Sequence, residues 1–277
     1  MHVPRRIALC GLILCGLAAA QDAPAPKVRA LHRAHAHNDY RHDRPLLDAL
    51  DRGFAGVEAD IFLQDGRLLV GHDLKELTPE RTLEALYLRP LADRVAQNDG
   101  QVYPDGSGLT LLIDIKADGP AVYEVLDALL SRYAAMLTSC ENGTVLPRAV
   151  TAVISGDCPR DLVEKDPTRY AGIDGRLGDL DSALPAALLP LISDRWGAHF
   201  QWQGLGPMPD AERKELERIV AEAHDKGRRV RFWATPDVAG PRRRALWQVL
   251  WDCGVDLINT DDLDGLQAFI QGAGTHP

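Results

Sequence analysis

The run Leu109-Thr110-Leu111-Leu112-Ile113-Asp114-Ile115-Lys116 is almost continuously apolar and β-branched. A strand that alternates apolar and polar residues has one wet face. This one has none until its last residues, so it belongs in a sheet covered on both sides, which means a parallel sheet wrapped by helices. The rest of the chain repeats the theme. Strand-like segments at 28–34, 56–63, 149–155, 171–176, 188–193, 230–234 and 255–260 alternate with helix-like stretches at 44–52, 82–96, 121–137, 160–165, 211–226 and 242–253. The Asp65-Gly66 turn sends 68–70 back as a hairpin arm. Eight parallel strands in a chain of 277 residues, 45% of them hydrophobic, predict an α/β fold of the (β/α)8 TIM-barrel type, a single domain over 29–270 with a tail at 271–277. The rival is an open doubly wound sheet, which would carry a Gly-rich turn after its first strand to bind a dinucleotide. His35-Ala36-His37-Asn38-Asp39 stands there instead.

The beginning of the chain reads differently. Arg5 and Arg6 precede an apolar run over 7–17 and the small residues Ala18-Ala19-Ala20, the pattern of a cleaved signal peptide over 1–20, followed by a linker over 21–28. Export to the periplasm or the outside follows from that reading, with no transmembrane segment, because the run is shorter than a spanning helix needs. In an oxidising compartment Cys140 and Cys158, close in sequence, are the expected disulfide, leaving Cys253 free. A net charge of −9 argues against nucleic acid as a partner, since sequence-independent affinity comes from Lys and Arg on phosphates.

In a barrel of this kind the chemistry sits at the C-terminal ends of the strands. His35 and His37 end the first strand, Glu58 and Asp60 lie in the second, His72 and Asp73 follow the hairpin arm, and Asp114 and Lys116 end the third. Residues two apart on a strand share a face, so Glu58 with Asp60, and Asp114 with Lys116, point the same way. Acids aimed into a barrel mouth are costly unless they are paired or bind a cation. Three of them, Glu58, Asp60 and Asp114, make an oxygen-rich site for one divalent cation, Mg²⁺ or Ca²⁺. Histidines beside it titrate near neutral pH and can exchange protons. Trp233, at a strand end, is placed to line a substrate pocket.

These residues, in their local settings, resemble a known family. His35-Ala36-His37-Asn38-Asp39-Tyr40, Gly53-Phe54-Ala55-Gly56-Val57-Glu58-Ala59-Asp60-Ile61, Leu68-Leu69-Val70-Gly71-His72-Asp73 and Leu112-Ile113-Asp114-Ile115-Lys116 are similar to the glycerophosphodiester phosphodiesterase-like proteins. So are Val230-Arg231-Phe232-Trp233-Ala234-Thr235 and Gly254-Val255-Asp256-Leu257-Ile258-Asn259-Thr260-Asp261. That superfamily also holds phosphatidylinositol-specific phospholipases C and spider-venom sphingomyelinase D. The resemblance is strongest to its branch bearing an "altered inheritance of mitochondria" name in fungi.

The resemblance implies a metal-dependent phosphoric diester hydrolase acting on a small phosphodiester or a lipid head group. Glu58 and Asp60 match the family's metal-binding pair, and Asp114 a third ligand that glycerophosphodiesterases usually supply as Glu. Lys116 matches the lysine that faces the phosphate, and His72 the second catalytic histidine. His37-Asn38 is similar to the His-Asn of the phosphatidylinositol phospholipases, which makes His37 the first catalytic histidine and Asn38 an additional metal ligand, with His35 as the alternate. His32-Arg33-Ala34 resembles the classical His-Arg-Gly but lies too early in the strand. The classical Pro-Glu-Asn-Thr segment and the insertion that shapes the glycerol pocket are missing, so a glycerophosphodiester and a phospholipid-like diester both stay open as substrates. Two other readings compete. His35-x-His37 is also the first-strand motif of metal-dependent amidohydrolases, where Asp261 would supply the acid and later strands two more histidines. A non-catalytic barrel that binds a phosphate ligand is the other.

Overall fold

The computed structural model describes residues 28–273. The strands, in chain order, are β1 (Leu31–Ala36), β2 (Phe54–Gln64), β3 (Arg67–Val70), β4 (Leu109–Ile115), β5 (Ser139–Glu141), β6 (Thr144–Leu146), β7 (Val150–Gly156), β8 (Thr168–Arg169), β9 (Ala171–Gly175), β10 (Leu191–Arg195), β11 (Arg229–Trp233) and β12 (Ile258–Thr260). Eight of them form a nearly closed parallel barrel in the order β11-β10-β9-β7-β4-β2-β1-β12, and β3 folds back antiparallel on β2. The seam between the two ends of that order is short, resting on the parallel bridge of Arg231 with Leu257. The helices α1 (Leu47–Asp51), α2 (Arg89–Gln97), α3 (Gly119–Ser131), α4 (Arg160–Lys165), α5 (Trp196–His199), α6 (Asp210–Asp225), α7 (Pro241–Asp252) and α8 (Leu263–Ala273) fill the connections and the end of the chain. No helix of the described residues is long and apolar enough to cross a membrane.

Two apolar clusters fill this frame. The larger lies between strands and helices and includes Leu111, Ile113 and Ile115 of β4, Leu126 of α3, and Leu216 and Ile219 of α6. The smaller, Leu112, Val153, Leu191 and Leu257, is the layer inside the barrel. Because faces alternate along a strand, Asp114 and Ser155 stand one layer above it, toward the strand C-termini, and Thr110 and Thr151 one layer below.

The expected single domain and its eight strands are all present, with differences in detail. The helix expected over 121–137 ends at Ser131. Met136 and Leu137 are buried, which produces the apolar stripe, but Leu137 pairs in extended form with Val150. The chain then builds a small antiparallel sheet, β6-β5-β8, that no strong alternation announces. The helix expected over 82–96 begins as a π-helical turn, Glu84–Leu88, because Pro90 in the first turn of α2 has no N–H to donate back. α8 continues to Ala273, past the point where the domain was expected to end. The expected disulfide is absent, and Cys140, Cys158 and Cys253 are all free thiols. Residues 137–138 pair near the start of β7 and Cys158 follows its end, so the length of that strand, roughly 20 Å at ~3.3 Å per residue, separates sulfurs whose Cα atoms would need to lie within about 7 Å.

One buried cation pins the long connection between β9 and β10. Arg228, almost fully buried, donates from Nη1 to the carbonyls of Asp179 and Leu180 (2.8 and 3.2 Å) and from Nη2 to those of Ser182 and Leu184 (2.7 Å each). Replacing Arg228 by Met keeps the stem and strips the donors from four carbonyls. We expect guanidinium chloride unfolding to show a loss of about 3 kcal/mol, in the range of a buried charged hydrogen-bonding group removed from its acceptors.

Candidate active site

A cavity of about 350 Å³ opens at the C-terminal mouth of the barrel, and its wall includes His37, Asn38, Glu58, His72, Asp114 and Lys116. The pairing of β2 with β4 sets Asp60 directly beside Asp114, and Glu58 lies two residues earlier on the same face. Each of Glu58, Asp60 and Asp114 can offer one oxygen within 4.8 Å of the others. Lys116 Nζ bridges two of them, at 2.6 Å from Asp60 Oδ2 and 2.9 Å from Asp114 Oδ2. Burial works against the ammonium, but the two carboxylates outweigh it and raise the Lys116 pKa. Asp60 is pushed up to about 6, first by burial and then by the charge of Glu58.

Glu58 is held in the opposite direction. Burial favours its neutral form, but Arg231 Nη2 donates to Oε2 at 2.5 Å and keeps the carboxyl well below the usual carboxylate range. Arg231 is itself buried, with Nε donating to Asn259 Oδ1 at 2.8 Å.

The donor set fits a hard divalent cation. Asp60 Oδ1 is buried without a partner in a chain where most buried polar atoms have one. The Tyr40 hydroxyl lies 2.7 Å from both Asp60 Oδ2 and Asn38 Oδ1, which brings a neutral amide oxygen beside the acids. Oxygen donors of mixed charge are what Mg²⁺ and Ca²⁺ take.

Of the three candidate histidines, two reach the cavity. His37 follows β1, and its Nδ1 lies 2.7 Å from Asp261 Oδ1, which also accepts from Asn38 Nδ2 at 3.3 Å. Burial alone would lower the His37 pKa, but the hydrogen bond to Asp261 and the charge of Glu58 prevail and raise it. Asp261 is braced in turn, its N–H donating to Asp237 Oδ2 at 2.7 Å. His72 follows β3 on the cavity rim, where its backbone N–H donates to Glu76 Oε2 at 2.8 Å. His35, the alternate, is fully buried under the acids, its Nε2 3.5 Å from Glu58 Oε2, and burial lowers its pKa to about 4. Gly56 makes room for that ring, since a Cβ there would sit 2.5 Å from His35 Nδ1.

Three residues at the mouth escape the sequence reading. Arg231 stands between Val230 and Phe232 and shares a strand face with Trp233, which does line the cavity, so period-two alternation was the available sign. Arg176 also lines it, held by Asp174 Oδ2 at 2.9 Å. In the sequence Asp261 reads only as the acid of an amidohydrolase, whereas closing the barrel puts Thr260 opposite Ala36 and hence Asp261 next to His37. Beyond His37 and His72 no histidine of the described residues lines this cavity, so the further pair that the amidohydrolase reading needs is not there. His199 pairs with Asp194 at 3.1 Å, and His224 of α6 pairs with Asp256 at 2.8 Å.

The sequence model of the AIM6-like phosphodiesterase domain matches residues 27–173, more than half of the chain. The chain belongs to this family. A second model, the glycerophosphoryl diester phosphodiesterase family, matches residues 229–264. An Altered inheritance of mitochondria protein 6 homolog of Arthroderma benhamiae is 30% identical over 85% of this chain and 82% of its own length. Altered inheritance of mitochondria protein 6 of Eremothecium gossypii is 31% identical over 95% of this chain and 76% of its own.

Solved barrels of the same kind include a glycerophosphoryl diester phosphodiesterase from Parabacteroides distasonis, with a TM-score of 0.53, 17% identity and 89% and 90% of the two chains covered. A calcium-dependent phosphoinositol-specific phospholipase C from Pseudomonas follows at a TM-score of 0.51, 12% identity and 86% and 92% coverage. The family and the fold together support a phosphodiesterase-type function. They also overturn the expected exported location. The relatives carry a mitochondrial-inheritance name, not that of a secreted protein, and the segment 1–20 that prompted the expectation lies outside the described residues.

The Glu58–Arg231 pair gives a direct test of the electrostatics. Arg231→Met leaves a buried carboxylate without its partner and is expected to cost about 3–5 kcal/mol of stability in metal-free buffer. Glu58→Gln added to it should recover most of that loss, a coupling that a double-mutant cycle in urea measures directly.

Proposed function

We propose that this protein cleaves a small phosphodiester, of the glycerophosphodiester or phospholipid head-group kind, with one divalent cation, Mg²⁺ or Ca²⁺, held by Glu58, Asp60 and Asp114 together with the amide oxygen of Asn38. The observation that carries the reading is the His37–Asp261 hydrogen bond standing on the rim of a cavity that also presents Lys116 and the acidic cluster. Polarisation of a phosphoryl oxygen is the chemistry such a cation supplies when bound. Lys116 offsets the negative charge that grows on the remaining oxygens. With Nδ1 engaged by Asp261, His37 has Nε2 left for proton transfer, and the carboxylate stabilises the imidazolium that forms.

A substrate hydroxyl beside the phosphorus then gives its proton to His37 Nε2 as its oxygen bonds to phosphorus. The bond from phosphorus to the leaving oxygen breaks, and His72 delivers a proton to that oxygen. Trp233 forms part of the wall against which the leaving group rests. A barrel that only bound phosphate would have no use for a carboxylate-oriented histidine lining the same cavity as a second one.

Incubation with a panel of phosphodiesters, followed by phosphorus NMR with and without EDTA, tests the proposal. Turnover should vanish with the chelator and return with Mg²⁺ or Ca²⁺. His37→Ala and His72→Ala should each lower kcat by about 10²–10⁴-fold with smaller changes in KM, and Asp261→Asn should lower it by roughly 10²-fold or more. A full complement of metals with no diester consumed would refute the reading. So would activity undiminished from the parent in both histidine variants.

A further inference from the structure

The layer of Leu112, Val153, Leu191 and Leu257 closes the barrel interior beneath the acidic cluster. Beyond it, at the N-terminal ends of the strands, lies a separate cavity of about 490 Å³. Its wall includes three arginines, Arg33, Arg148 and Arg229, with His32, Thr110 and Thr151, and one acid, Asp256. Such an excess of positive charge runs against a chain whose net charge is −9.

None of the three arginines makes an ion pair with a carboxylate among the described residues. Arg33 spends Nε and Nη2 on the carbonyls of Val255 and Leu250 (2.7 and 2.8 Å), with its guanidinium stacked over Trp251. Arg148 reaches only the carbonyl of Pro147, at 3.2 Å. Arg229 begins β11 on the face it shares with Arg231 and Trp233, so the strand aims it into the barrel floor, where Nη2 donates to Thr110 Oγ1. Asp256 is committed elsewhere, its Oδ2 accepting from His224 Nε2 and the Val230 N–H at 2.8 Å each. Burial pushes the Arg229 pKa down, the charge of Asp256 acting the other way. An enclosed guanidinium without a carboxylate is costly unless some other anion meets it.

We propose that this cavity binds a small phosphate-bearing anion, its phosphoryl oxygens taken by Arg229 and the Thr110 and Thr151 hydroxyls, with Arg148 at the rim. A guanidinium fork matches phosphate oxygens two at a time, which is what a fixed, unpaired arginine in a polar pocket is suited to do. The volume exceeds that of a bare anion and leaves space for a short organic substituent. The site is independent of the phosphodiesterase reading, since the apolar layer separates it from the mouth.

Calorimetric titration of the full chain carrying Lys116→Met, which cripples phosphate capture at the mouth, tests this with inorganic phosphate and phenyl phosphate as probes. Saturable binding of at least one is expected. Tighter binding of phenyl phosphate assigns a monoester, and tighter binding of inorganic phosphate the free anion. Adding Arg229→Met should weaken it at least about tenfold, and Arg148→Ala about threefold. Should Arg229→Met fail to fold by circular dichroism, Arg229→Lys and Arg148→Ala carry the test. Absence of saturable binding, or affinity unchanged in the folded Arg229 and Arg148 variants, overturns the proposal.

Discussion

Acidic side chains drawn into a barrel mouth must be balanced there, and the arrangement of the site follows from how that balance is struck. Glu58 and Asp60 are buried, and Asp114 stands beside them. In water such a cluster would disperse, and inside the barrel it persists only because Arg231 and Lys116 sit among the oxygens. The two cations divide the work by their chemistry. Arg231, planar and permanently charged, is locked between Glu58 and Asn259, so Glu58 stays ionised without solvent. Lys116, at the end of a flexible stem, bridges the outer pair and keeps part of its surface toward the cavity. Asp60 lies between these influences and retains an unpartnered oxygen.

The same logic of neighbours runs around the barrel. Pairing of β1 with β12 is what turns residues far apart in the chain into a His37–Asp261 dyad. Pairing of β2 with β4 turns Glu-x-Asp and Asp-x-Lys into one cluster. Neither result depends on loop detail, because both follow from parallel register and a two-residue side-chain repeat.

Much of this is legible in the amino-acid sequence. The near-continuous apolar run at β4 demands a covered parallel sheet, and the polar residues that end successive strands mark one face of it. His37, His72, Glu58, Asp60, Asp114 and Lys116 are found together for that reason. What escaped has two physical origins. Arg231 and Asp261 act through partners that become neighbours only on closure, so strand alternation can mark the face of Arg231 but no local pattern shows either partner. The β6-β5-β8 sheet and the end of α3 at Ser131 escaped because burial of Met136 and Leu137 continues the helical stripe after the helix itself has stopped. Apolar periodicity reports burial, and only indirectly the backbone that achieves it.

The seam where β11 meets β12 has a consequence for how this molecule loses function. β12 has three residues, and its link to β11 rests on a bridge at Arg231 and Leu257 and the carbonyl of Val230. Few cross-strand bonds make it the place where the cylinder breathes first. Arg231, Asn259 and Asp261 all border that line, so a gap opening there removes the counter-charge of Glu58 and the support of His37 in one motion. Partial opening at this seam would therefore disperse the mouth while the helices and the remaining strands stay packed. Loss of the site and loss of the fold would then be two separate events in the life of the chain.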